Sequence, residues 1–138
     1  MEIRYAEDAD REFWFGLDTH LPQAVFADKV QTKSGYVAFA GGQPVGLLRY
    51  NLFWDNMPFC TMLMIDAAYR GMGYGKQLMA HWERDMKTQG HGLVLLSTRA
   101  DEGAQHFYRK LGYRDCGGVA LPALDEEMVT ELFFAKFL

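Results

Sequence analysis

The chain has 138 residues, 49% of them hydrophobic and 14% aromatic, which is enough for one domain over residues 1–138 built on a single core. A formal charge of −4 argues against a nucleic-acid or anionic-membrane surface and favours a cationic small molecule or peptide as partner. Cys60 and Cys116 make neither a disulfide framework nor a zinc set and read as small, buried or half-buried residues; no stretch nears the ~20 apolar residues of a membrane span, and Met1-Glu2-Ile3-Arg4 lacks an apolar signal core, so a soluble cytoplasmic protein is expected.

Met1 to Tyr5 reads as a short first strand with Ile3 and Tyr5 on one face. Asp8 or Asp10 caps a helix over about residues 8–18, where Ala9, Phe13, Gly16 and Leu17 recur at helical spacing. Asp18-Thr19-His20-Leu21-Pro22 breaks it, and Val25, Phe26 and Val30 predict a second short helix ending before Gly35. From Gly35 the period changes. Tyr36 to Ala40 is β-compatible, Gly41-Gly42-Gln43-Pro44 is turn chemistry, Val45 to Trp54 returns, and Asp55-Asn56-Met57-Pro58 turns into a strand ending at Ile65, giving an antiparallel meander.

A polar connection then leads to Gly71, Gly73 and Gly75 at alternate positions and to a helix whose apolar face is Leu78, Met79, Trp82 and Met86. Strand, glycine-rich turn and helix start together predict a phosphate site, because a helix N-terminus offers unpaired N–H groups and glycines let a ligand approach them. Gly90 ends the helix, Gly92 to Ser97 is a buried strand expected to run parallel to the one before, and Asp101 caps a compact helix in which Ala104, Phe107, Tyr108 and Leu111 share a face and Gly112 supplies the stop. Tyr113 to Leu138 reads as two strands separated by a loop around Pro122 to Glu127.

Two familiar nucleotide motifs fail. A P-loop needs glycine where Arg70 stands and Ser or Thr where Gln77 stands, and a dinucleotide fingerprint needs glycine at Lys76 and an acid at Ser97. What remains is Arg70-x-x-Gly73-x-Gly75, followed about thirty residues on by Ala104-x-x-Phe107-Tyr108-x-Lys110-Leu111-Gly112-Tyr113. In order and spacing this pair resembles the GCN5-related N-acetyltransferases, and the element order is similar over the whole chain.

The resemblance implies an α/β (α+β) acyl-CoA N-acyltransferase fold, a twisted, mostly antiparallel sheet of about seven strands with helices on both faces. It implies acetyl-CoA as cosubstrate, no metal, and direct acetyl transfer to a primary amine of a small molecule or peptide. It places the pantetheine arm on backbone groups of Leu63, Met64 and Ile65, and the pyrophosphate on the amides of Gly71, Met72, Gly73, Tyr74, Gly75 and Lys76, with Arg70 beside them. Tyr108 is the candidate to protonate the leaving thiolate. The other reading of Tyr108 is a core aromatic.

The chain departs from that family where Asp101 replaces a common asparagine, since a carboxylate cannot donate to CoA as an amide could. The family's glutamate base position holds Leu96, and its histidine positions hold Phe59 and Thr61. Asp18, Asp55 and Asp66, with His20 behind them, are the remaining candidates to take the amine proton; each carboxylate is alternatively a turn or cap residue in solvent. The acceptor pocket is expected among Trp14, Asp18, Tyr50 and Trp54, near Glu12 and Asp55, although alternating aromatics also make ordinary core. His81, His91 and His106 show no metal-ligand spacing. Exposed last strands suggest a homodimer. The missing base motivates a reading from another class, a non-catalytic acyl-CoA-binding regulatory module; a protein lysine or N-terminal acetyltransferase is a further alternative.

Overall fold

The computed structural model describes residues 1–121 and 128–138; the loop expected over Pro122 to Glu127 lies outside the described residues. In chain order the elements are β1 (Glu2–Tyr5), a 3-10 turn (Asp8–Asp10), α1 (Arg11–Leu17), α2 (Gln23–Gln31), β2 (Gly35–Ala40), β3 (Gln43–Phe53) and β4 (Met57–Ile65). A second 3-10 turn (Ala67–Tyr69) leads to α3 (Tyr74–Thr88), β5 (Leu93–Arg99), α4 (Ala104–Lys110), β6 (Arg114–Ala120) and β7 (Thr130–Phe137). Among the described residues, seven strands form a mixed sheet, order β1-β2-β3-β4-β5-β7-β6, with four helices, which is the fold class expected from the sequence. Contacts gather into two compact units, Met1–Asn51 with Cys60–Asp85, and Leu52–Phe59 with Met86–Leu138.

In the first unit β2 pairs antiparallel with both β1 and β3. Side chains of a strand alternate between faces, so Tyr36 and Val37 look opposite ways. Val37 joins Leu47, Trp14, Leu21 and Phe26 in the core formed with α1 and α2. Tyr36 instead meets His81 of α3, ring centroids 5.6 Å apart, and its hydroxyl donates to Asp85. Helices therefore flank both faces of this unit. The α3 face named from periodicity is the one that buries: Leu78, Met79, Trp82 and Met86 are each at most 1% exposed. Full burial of such a side chain is worth about 1.5–3 kcal/mol.

Asp85 also accepts the Tyr5 hydroxyl at 2.7 Å, so one carboxylate ties β1 and β2 to α3. Burial, and then the hydrogen bond to the Asp85 carboxylate and its charge, push the Tyr5 phenol up to about 12 and raise that of Tyr36, which keeps both as donors across the ordinary pH range. At the far end of β3, a Cβ on Gly46 would lie 2.5 Å from Ile65 Cδ1 and 3.0 Å from the Met64 carbonyl oxygen. Glycine there lets the end of β4 pack close.

In the second unit β7 pairs antiparallel with β5 and with β6. The buried residues of β5 are Val94, Leu96 and Thr98, the period-2 pattern of a strand. Gly112, at φ +94°, ends α4 as expected. Every residue of β6 is exposed, and its register slips between Asp115 and Gly117. Cys60 is buried, as expected; Cys116 is exposed, contrary to expectation, because it sits in this outermost strand.

Candidate functional site

β4 ends at Ile65, and the chain turns on Asp66, whose amide donates to the Val45 carbonyl at 2.8 Å and whose carboxylate accepts the Ala68 amide at 3.0 Å. Asp66 is thus the turn cap that the sequence allowed as its alternative. The Arg70 side chain folds back, and its Nε donates to the Ile65 carbonyl at 3.0 Å. Gly71 and Gly73 follow at φ +78° and +86°. An L side chain in that region costs roughly 1–2 kcal/mol, which is why the sequence spends glycines here. Beyond the glycine and its two chain neighbours, no atom lies within 4 Å of a Cβ built on either, so the space over both is open.

The Gln77 amide donates to the Gly73 carbonyl at 3.1 Å, closing the first turn of α3. The amides of Tyr74, Gly75 and Lys76 precede that bond and have no acceptor within the helix. Residues 70–76 include no acid and carry two cations, Arg70 and Lys76, both exposed. Open backbone, the start of a 15-residue helix and positive side chains make a donor set that fits a pyrophosphate. Leu63, Met64 and Ile65, which lead into it, are half-buried.

Tyr108 and Asp101 belong to the second unit. Tyr108, on α4, is 9% exposed, with its ring edge-on to Phe107 at 5.1 Å and to Tyr113 at 5.9 Å. Asp101 does not cap α4. The helix starts at Ala104 with Gly103 before it and no side-chain cap, whereas Asp101 is exposed and clasped by Arg99, Nε to Oδ1 at 3.0 Å and Nη2 to Oδ2 at 2.9 Å. The guanidinium two residues away outcompetes the helix end because it satisfies both carboxylate oxygens.

Of the four residues expected around the acceptor, Trp14 and Asp18 are bonded to each other, Tyr50 is core in the same unit, and Trp54 belongs to the second unit. Trp14 is fully buried and packs edge-on to Phe26 at 5.5 Å; Tyr50 is core, against Tyr36 and Trp82; Trp54 is 75% exposed in the turn between β3 and β4. Asp18, which the sequence offered as a solvent residue or a base, is fully buried. Its Oδ2 accepts Arg49 Nε at 2.7 Å and Trp14 Nε1 at 3.2 Å, and its Oδ1 accepts the amides of His20 at 3.0 Å and Leu21 at 3.3 Å. Burial raises the Asp18 carboxyl, but Arg49 and the two amides outweigh it and leave it below the usual carboxylate range. An anion so held is a poor proton acceptor near neutral pH. His20 and Asp55 are exposed.

Sequence reasoning missed Arg49, whose Nη1 donates to Thr61 Oγ1 at 3.0 Å while the Thr61 hydroxyl donates to the Arg49 carbonyl at 3.2 Å. The available signal was a lone charge inside the apolar run Val45 to Tyr50, which a buried partner explains. Among the described residues no group of three or more His, Cys, Asp or Glu could hold a metal, and no helix is long and apolar enough to cross a membrane.

The model of the acetyltransferase (GNAT) family matches residues 3–113. No curated protein sequence matches the chain. Among solved structures, Ard1 from Thermoplasma volcanium superposes with a TM-score of 0.86 at 21% identity, covering 99% of this chain and 97% of that one. A ribosomal-protein-alanine N-acetyltransferase from Brucella melitensis gives 0.82 at 19% identity, covering all of both chains. Arabidopsis thaliana Naa50, solved with the bisubstrate analogue CoA-Ac-MVNAL, gives 0.80 at 18% identity over 98% of this chain and 97% of its own. The family model runs from within β1 to just past α4, including the glycine turn, and the chain therefore belongs to the acetyltransferase (GNAT) family and is an N-acetyltransferase.

Proposed function

We propose that the protein transfers the acetyl group of acetyl-CoA directly to a primary amine of a small molecule or peptide. The observation that carries this reading is the open glycine turn at the start of α3, with positive φ at Gly71 and Gly73 and no acid between residues 70 and 76. The amides of Gly71 to Lys76 hold the pyrophosphate, and the backbone of Leu63 to Ile65 pairs with the pantetheine arm like an added strand. Arg70 shapes the end of β4 through its bond to Ile65.

The neutral amine attacks the thioester carbonyl carbon; the C–S bond breaks, the sulfur leaves as thiolate, and the Tyr108 hydroxyl gives it a proton, to be restored from solvent. The amine proton passes to water, since Asp18 is held as an anion by Arg49. Positioning and thiolate stabilisation supply most of the rate. A peptide α-amine is the favoured acceptor, because the bisubstrate analogue bound by Naa50, whose fold this chain shares, joins CoA to an acetylated peptide.

Calorimetry with acetyl-CoA and a thiol-release assay over peptides with free N-termini, polyamines and aminoglycosides test this together. Binding with release on at least one class is expected, and Tyr108→Phe should cut turnover about 100-fold or more with little change in acetyl-CoA affinity. Binding without release on any of these amines would overturn this choice of acceptor classes. No binding sinks the reading.

A further inference from the structure

We propose that Arg49 is a positioning residue that couples the connection between α1 and α2 to β4, so that CoA bound along β4 and the glycine turn also orders residues 18–22. The inference rests on the donor-site reading above and adds a second region that responds to it.

Three observations carry it. First, the chain of contacts is continuous: Thr61 on β4 exchanges two hydrogen bonds with Arg49, Arg49 Nε bonds Asp18 at 2.7 Å, and the other oxygen of Asp18 holds the amides of His20 and Leu21. Second, the links are stiff. Asp18 is fully buried and the Arg49 side chain 12% exposed, so moving either strands a charge at low dielectric. Third, Thr61 stands two residues before Leu63, within the strand whose backbone the pantetheine is to pair with. Restraining that strand restrains the Thr61 hydroxyl, and through it the guanidinium and the carboxylate on which the connection hangs. The connection also carries His20, whose exposed side chain is thereby presented from a backbone that Asp18 fixes.

Hydrogen exchange read by mass spectrometry, with coenzyme A as the probe, tests the coupling. In the wild type, CoA slows exchange across residues 61–76 and also, by about fivefold, at the His20 and Leu21 amides. Thr61→Val keeps the side-chain shape and loses the hydroxyl; it should bind CoA with a Kd within about twofold of wild type, retain the slowing across 62–76 and lose it at His20 and Leu21. Thr61→Ser, which restores the hydroxyl, should recover the response, a rescue that a packing role would not give. Arg49→Lys, which keeps the charge but cannot reach Asp18 and Thr61 together, should behave like Thr61→Val. The proposal is overturned if Thr61→Val responds like the wild type at His20 and Leu21, or if wild-type CoA binding leaves those amides unchanged. Failure of CoA to bind the wild type removes the donor-site reading itself and this inference with it.

Discussion

The Asp18–Arg49–Thr61 network and the Arg70–Lys76 turn lie in the same unit and are made of opposite materials. In the network each oxygen of Asp18 has two donors, and the carboxylate itself is fully buried. In the turn the residues from Arg70 to Gly73 are exposed, two glycines hold positive φ, and the amides that follow have no helical acceptor. Matched, buried polar groups are costly to disturb and offer a ligand no free donor to bind; unmatched, exposed amides cost little to disturb and are what an anion needs. Stability and donor capture should therefore separate under mutation.

The largest expected effect is in the network. Arg49→Met leaves Asp18 as a buried charge without its cation, and urea denaturation should show a loss of about 3–5 kcal/mol, while acetyl-CoA binding to the protein still folded falls far less. Equal losses in both would erase the distinction. The same pair sets an acid limit. Because the folded carboxyl of Asp18 lies below its unfolded value, near 3.9, its stabilisation is complete above that pH and is lost as pH falls through the folded value. Acid denaturation of Asp18→Asn should lack that component; an unchanged acid limb would mean Asp18 contributes none of it.

The turn should answer the other way. Gly73→Ala places an L side chain at φ +86°, costing roughly 1–2 kcal/mol of stability. Relief of that strain shifts the amides, and calorimetry should show acetyl-CoA binding weakened about tenfold, equivalent to ~1.4 kcal/mol. Unchanged affinity would remove the turn from the donor site.

The sequence made the turn legible and the network not, for a physical reason. Glycine spacing and the period of Leu78, Met79, Trp82 and Met86 are local, so the strand–turn–helix and the buried face of α3 follow from one short stretch. Asp18 and Arg49 stand 31 residues apart, on a helix end and in a strand, and nothing local pairs them. A carboxylate before a proline-containing break therefore reads as a solvent cap. Aromatic residues fail similarly. Tyr50 and Trp54 both look like members of a half-buried strand, but β3 ends at Phe53 and the turn throws Trp54 outward at φ +53°. Asp101 misled because capping preference knows nothing of Arg99, which wins the carboxylate.

Arg70 combines an exposed charge with a made hydrogen bond, and it gives the smallest and most discriminating test. Its charge suggests a phosphate partner, yet its Nε is bonded to the Ile65 carbonyl, a structural contact at the end of β4. If that bond is its main task, Arg70→Met costs about 0.5–1.5 kcal/mol in urea denaturation, and Arg70→Lys costs as much, because an ammonium cannot reproduce the planar geometry at Nε. Acetyl-CoA affinity should then fall by less than about threefold, about 0.6 kcal/mol, for both variants, by the same factor at low and high salt. A contact of opposite charges at an exposed site behaves otherwise: screening within about 10 Å at 0.1 M salt makes its contribution fade as salt is raised. A deficit in Arg70→Met that Arg70→Lys repairs, and that shrinks with added salt, would move Arg70 from scaffold to ligand contact and extend the anion site one residue toward β4.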